Sequence, residues 1–232
     1  DPVDYDELLR ELDEHDGATS LAFRKRLAAK AYALTASYDS MISQWFAFGD
    51  QGQRWPETWV IANKLKMPLR YGENPHQQAA LYVPVGPHAT GIAQAEQVQG
   101  KELSYNNLND ANAALELVAE FRDASPTIVI VKHANPCGVA SADTLLEAWN
   151  EALACDSVSA FGGIVAANRP LDGATAQAIT QIFTEVVVAP GADEDAKAIF
   201  ARKKNLRLLL SGELPGPKPP GQTLVVTAGG ML

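Results

Sequence analysis

Apolar positions follow two different rhythms along the chain. Up to about residue 66 they recur every three or four residues, and beyond residue 68 they gather in short runs between polar turns. Leu8, Leu9 and Leu12 share one helical face. Asp4 and Glu7 before them have the D-x-x-E spacing of a capping box. Gly17 ends that short helix. Phe23, Leu27, Ala31, Leu34, Tyr38, Met41, Trp45 and Phe48 then mark a sustained one-sided stripe, which predicts a long helix from about Ser20 to Phe48. Arg24, Lys25, Arg26 and Lys30 cluster in its first half and read as a solvated face. The stretch 51–66, with Trp55, Pro56 and Trp59, reads as a linker into a second unit.

From Pro68 onward, strand-like and helix-like segments alternate. Strands are expected over 79–85, 127–131, 158–167, 185–189, 206–210 and 223–226, and helices over 111–121, 143–154, 174–183 and 193–203. Asn109 or Asp110 can cap the first of these helices, and Asn135-Pro136-Cys137-Gly138 reads as a turn that breaks the strand before it. The Pro-rich stretch 214–221 reads as an extended surface loop. Such alternation implies a mixed or parallel α/β layer structure after a helical N-terminal segment.

Composition narrows the function classes. The chain has 232 residues, 47% apolar and 20% charged, in the ordinary range for a globular protein. A net charge of -9 argues against a nucleic-acid surface, which needs a basic face. It leaves room for small anions, because a few local cations suffice to hold a phosphate. Two cysteines, Cys137 and Cys155, offer no disulfide framework and suit a reducing, cytoplasmic setting. No apolar run approaches the ~20 residues of a membrane span, and the acidic N-terminus is no signal peptide. A first residue other than Met, and a strand-like run close to the last residue, suggest a piece of a longer protein.

Candidate chemistry centres on Thr127–Ala140. A β-branched run ends in Lys132-His133, placing a cation and an imidazole side by side at the carboxyl end of a buried strand, where ligands of open α/β sheets collect. A neutral imidazole can serve as a general base near pH 7. The string His133-Ala134-Asn135-Pro136-Cys137-Gly138-Val139-Ala140 also invites comparison with zinc nucleobase deaminases, which carry H-x-E and P-C-x-x-C. Asn135 stands at the Glu position and Ala140 at the second Cys, so catalytic zinc would be short of protein ligands. A second candidate is Arg70-Tyr71-Gly72-Glu73-Asn74-Pro75-His76-Gln77, where Arg offers a planar fork to a phosphate. Gly162-Gly163 inside a strand-like run suggests a bulge or a close ligand approach. Glu185, heading Val186–Val188, could bind a sugar hydroxyl or stand solvated at a strand end.

Taken together, RYGENPHQ, GKELSYNNLNDA, VKHANPCGVA, AFGGIVAANRPLD, EVVVAPGA and AKAIFARKK, in this order, resemble the bifunctional purine-biosynthesis enzymes AICAR formyltransferase/IMP cyclohydrolase. The resemblance implies that residues 1–66 are the last helices of a cyclohydrolase domain with its linker. Residues 67–232 would be the first half of a formyltransferase domain, with a cytidine-deaminase-like fold lacking zinc. It implies formyl transfer from 10-formyltetrahydrofolate, as co-substrate and without metal, to the 5-amino group of AICAR, followed by closure to IMP. His133 would be the proton acceptor, and Lys132 would stabilise the transition state or protonate the leaving folate nitrogen. Arg70 and Tyr71 would bind the nucleotide, Arg70 through its phosphate. The backbone of Gly162 and the side chain of Glu185 would hold the base and ribose. It further implies a cytoplasmic homodimer. The competing expectation is a non-catalytic module for dimerisation or nucleotide binding.

Overall fold

The computed structural model describes residues 1–86, 90–216, 224, 226–227 and 230–231. His88, the Pro-rich loop beyond Gly216, and Thr223 and Val225 of the last expected strand lie outside the described residues. The chain divides into two compact units, Asp1–Lys64 with Val83–His88 and Leu65–Tyr82 with Ala89–Leu232.

The first unit is helical. A 3-10 turn (Pro2–Asp4) leads into α1 (Tyr5–Glu14), and α2 (Leu21–Gln44) continues as a π-helical turn to Asp50. Asp16 and Gly17 take φ of 51° and 81° between the helices, and the Ser20 hydroxyl caps α2 by accepting from Phe23 N at 3.1 Å. Two expectations fail here, the capping box and the buried stripe. Asp4 makes no capping bond to α1; its carboxylate pairs instead with Lys30 and, at 3.8 Å, with Arg26. Arg26 also reaches Glu7 at 2.5 Å, and all four residues of the basic cluster are exposed, as a solvated face requires. The apolar stripe of α2 is buried only at Phe23 among its large residues, with Leu34 and Tyr38 exposed.

The second unit is a mixed α/β layer structure. Its six-stranded sheet contains β3 (Glu96–Gln99), β4 (Thr127–Lys132), β5 (Asn135–Ser141), β6 (Gly163–Ala167), β7 (Thr184–Ala189) and β8 (Arg207–Leu210), in the order β3-β8-β7-β6-β4-β5. The three strands β6, β7 and β8 run parallel; β4 is antiparallel to β6, β5 to β4, and β3 to β8. Two smaller pairs accompany it, β1 (Asn63–Leu69) with β2 (Ala79–Pro84), and β9 (Val226–Thr227) with β10 (Gly230–Met231).

Alternation along β4 builds two cores. Ile128 and Ile130 face α4 (Leu145–Cys155), α5 (Gly173–Ile179) and α6 (Glu194–Ala201), around Trp149 and Phe200. Val129 and Val131 face α3 (Tyr105–Ala119), against Leu115 and Val118. A strand covered on both faces must be apolar throughout, which is why Thr127–Val131 is β-branched and fully buried.

Several boundaries differ from expectation. The helix α3 begins at Tyr105, because Ser104 and Asn107 form a reciprocal capping box, and Asp110 lies inside the helix rather than capping it. The stretch Asn135–Gly138 is strand, not turn. Pro136 is tolerated because β5 is an edge strand with a register shift beside it. The strand β6 starts only at Gly163, so 158–162 is turn. Gly138 lies under α4, where an added Cβ would stand 2.1 Å from the Ala152 carbonyl oxygen. Gly138→Ala is therefore expected to cost about 2 kcal/mol through overpacking, read as a lowered melting temperature. The Lys30 hydrogen bond lowers the Asp4 pKa from its ordinary 3.8. Asp4→Asn should thus destabilise the chain in melts at neutral pH, and that difference should vanish as pH falls through the lowered folded-state value.

Candidate functional site

The antiparallel insertion of β4 decides which side chains can meet. Its carboxyl end lies beside the amino ends of β6 and β7, and β8 starts at the same edge. Lys132, Gly162, Glu185 and Arg207 consequently sit at one edge of the sheet. For β4 this is the carboxyl end, as expected; for the three parallel strands it is the amino end.

Lys132 closes β4 half-buried, and its Nζ donates to the Phe161 carbonyl at 2.7 Å. Gly162 follows with φ 74°, its N–H donating to the Phe183 carbonyl at 2.7 Å. A Cβ there would meet the Phe183 ring only at 3.5 Å, so the backbone angle, not crowding, favours glycine.

His133 and Ala134 form the two-residue turn between β4 and β5, with φ of 53° and 57°. Tight hairpin turns need such angles, and Asn-Gly is their usual sequence. For residues with a Cβ the left-handed region costs roughly 1–2 kcal/mol each. The offset comes from α3. Asp110 Oδ2 accepts from His133 N at 3.1 Å, and Asp110 Oδ1 accepts from Ala134 N at 3.0 Å. Asn135 Nδ2 adds a bond to the His133 carbonyl at 2.7 Å. His133 itself is exposed.

Glu185 is neither free nor simply solvated. Its Oε2 accepts from Asn107 Nδ2 at 2.9 Å and faces Arg207 Nη1 at 3.6 Å. Arg207 is buried and also donates from Nε to the carbonyls of Lys101 and Glu102, at 3.2 and 3.1 Å. Burial pushes its pKa down, Glu185 opposes that, and the neighbouring Arg70 charge adds to it. Arg70 stacks over the Tyr71 ring, 4.9 Å from its centroid. It also borders a recess of about 400 Å³ shared with Gln97, Glu102 and Leu103. A second recess of about 300 Å³ lies between Gly72, Gln77 and Tyr105. Lys132 and His133 line neither.

The expected residues therefore fall into three places: Lys132, Gly162 and Glu185 at the sheet edge, His133 on the turn beside it, and Arg70 with Tyr71 near Arg207 at the 400 Å³ recess. The helix α3 links the first two: Asn107 holds Glu185, and Asp110, one turn on, holds the His133 turn. Sequence reasoning misses Asn107 and Arg207, and offers Asn109 or Asp110 as a helix cap where both lie inside α3. An arginine heading an apolar strand was the available signal, since such a cation is rarely buried unless paired. Among the described residues no group of His, Cys, Asp and Glu is arranged to hold a metal ion. Cys137 packs against the core, its thiol donating to the Ile130 carbonyl at 3.6 Å, and burial raises its pKa. No helix among the described residues is long and apolar enough to cross a membrane.

Comparison with known proteins adds a family. The sequence model of the AICARFT/IMPCHase bienzyme matches residues 1–232. The bifunctional purine biosynthesis proteins PurH of a Ruegeria species and of Cereibacter sphaeroides are each 59% identical over 233 aligned positions. That of Rhizobium johnstonii is 56% identical. Each alignment covers 100% of this chain and 43–44% of the relative, so the chain spans less than half the length of the curated relatives it matches.

Removing the buried guanidinium should leave the Glu102 carbonyl without its donor and Glu185 without its cation, while the Lys101 carbonyl keeps Gln97 Nε2 at 2.7 Å. Arg207→Ala is expected to cost about 1–3 kcal/mol for such unpaired groups. A melting temperature unchanged from the parent would contradict that role.

Proposed function

The chain belongs to the AICARFT/IMPCHase bienzyme family, and on that premise we propose that it contributes to purine biosynthesis as part of the formyl-transferring half of such an enzyme. Residues 1–66 are assigned to the end of the cyclohydrolase domain with its linker, and 67–232 to the first half of a formyltransferase domain of cytidine-deaminase-like fold without zinc. The observation that carries this reading is the sheet edge where Lys132 and the His133 turn adjoin Gly162 and Glu185.

The reaction assigned to that edge is attack of the 5-amino group of AICAR on the formyl carbon of 10-formyltetrahydrofolate. The new N–C bond forms, the bond from the formyl carbon to the folate nitrogen breaks, and ring closure to IMP follows in the full-length enzyme. An aromatic amine is a weak nucleophile, so the step needs proton removal and charge stabilisation together. His133, exposed on its turn, takes the amine proton. Lys132 supplies positive charge to the developing oxyanion or a proton to the departing folate nitrogen. To do either it exchanges its bond with the Phe161 carbonyl for substrate. Arg70 and Tyr71, beside the 400 Å³ recess, are assigned to the nucleotide, Arg70 to its phosphate. Gly162 backbone and Glu185 are assigned to the base and ribose, with Glu185 aimed by Asn107 and Arg207. The folate is co-substrate, the residues call for no metal, and the assembly is proposed to be a cytoplasmic homodimer.

In a full-length protein carrying this sequence, His133→Ala is expected to slow formyl transfer by about 10² or more while ring closure persists. Unchanged transfer would instead favour a non-catalytic role for this unit. The 232 residues alone are expected to show no measurable turnover of AICAR with formyl-folate; turnover at the full-length rate would refute the proposed division of domains.

A further inference from the structure

The turn that carries His133 is held from outside itself, and one side chain supplies most of that hold. Its two residues both take left-handed backbone angles with a Cβ attached, φ 53° and 57°, where the tight hairpin turn would favour Asn-Gly. Both exposed turn N–H groups end on one carboxylate, Asp110 Oδ2 and Oδ1, at 3.1 and 3.0 Å. That carboxylate belongs to α3, whose start is fixed by the Ser104–Asn107 box and whose body packs on β4 and β6. We propose that Asp110 is a positioning residue for formyl transfer: by clamping both amides of the His133–Ala134 turn it fixes the place from which the imidazole reaches substrate.

The clamp is bidentate and charge-assisted, so it sets both the height and the tilt of the turn. Without it the turn can relax toward backbone angles less costly for His and Ala, and the imidazole moves with the backbone. Displacements of this size matter because misplacing a reacting group by about 1 Å can cost on the order of 10² in rate. Asp110 itself touches neither substrate nor reacting atoms in this scheme. The inference rests on the reading of His133 as the base, but the clamp can be tested apart from it.

The test uses the full-length protein with Asp110→Asn, Ala134→Gly and the double variant. Asparagine keeps one acceptor and loses the charge and the second bond. Asp110→Asn is expected to lower kcat for formyl transfer about tenfold, with KM for AICAR within about twofold and ring closure unchanged. Ala134→Gly, which adopts the turn angle without steric cost, is expected to leave the parent rate intact and to recover much of the loss in the double variant. Should Asp110→Asn fail to fold, the double variant is measured in its place, and absence of transfer from it overturns the proposal. Amide exchange at residues 133 and 134, followed by mass spectrometry, gives a readout independent of turnover. Faster exchange in Asp110→Asn supports the clamp, and unchanged exchange overturns it. Faster exchange with unchanged kcat overturns the catalytic consequence. A normal rate for His133→Ala removes the base assignment while leaving the exchange result standing.

Discussion

Strand β4 runs against β6, β7 and β8, and the meeting of Lys132 and the His133 turn with Gly162, Glu185 and Arg207 depends on that reversal. In a wholly parallel sheet the carboxyl end of β4 would lie far from Gly162, Glu185 and Arg207. Inserted in the opposite sense, it delivers Lys132 to the edge where those residues begin their strands. The price of the arrangement is a short hairpin, since β5 must turn back at once, and this forces His133 and Ala134 into left-handed angles. The exposed imidazole at that edge is therefore a consequence of topology.

Polar side chains then make the edge rigid. At the far end of β4, buried Asn168 accepts from Thr127 N at 2.7 Å and donates to the carbonyls of Phe121 and Ser125. At the near end, Asn107 and Asp110 of α3 hold Glu185 and the turn. A strand fixed at both ends and buried on both faces has little freedom to shift. Precise placement of reacting groups requires such a support.

The layer structure could be read from the sequence because burial dictates it. The β-branched run at 127–131, Val186–Val188 and Leu208–Leu210 had to be strands, and the structure places them in one sheet, β7 beside β8 and β4 on the far side of β6. Strand direction could not be read, since periodicity is the same for a parallel and an antiparallel strand. The start of α3 was missed because Tyr105–Asp110 has a polar surface pattern, and its Asn107 and Asp110 are turned to tertiary partners. For the same reason Asp4 and Glu7 looked like a capping box, when their charges meet Arg26 and Lys30 across the helix pair. Asn135-Pro136 signals a turn locally, but the edge position of β5 lets the strand continue through it. The candidate residues could be named from their motifs; their division between a sheet edge, a hairpin turn and a recess could not, because it rests on contacts dozens of residues apart in the chain.

The central claim is that the imidazole of His133 and the guanidinium of Arg70 serve one nucleotide. The most direct measurement is a crystal structure of the full-length protein with AICAR bound. The expected result is the 5-amino nitrogen within ~3 Å of a His133 ring nitrogen, with the phosphate against Arg70. A nucleotide bound in this half of the protein with its amine out of reach of His133 would contradict the claim.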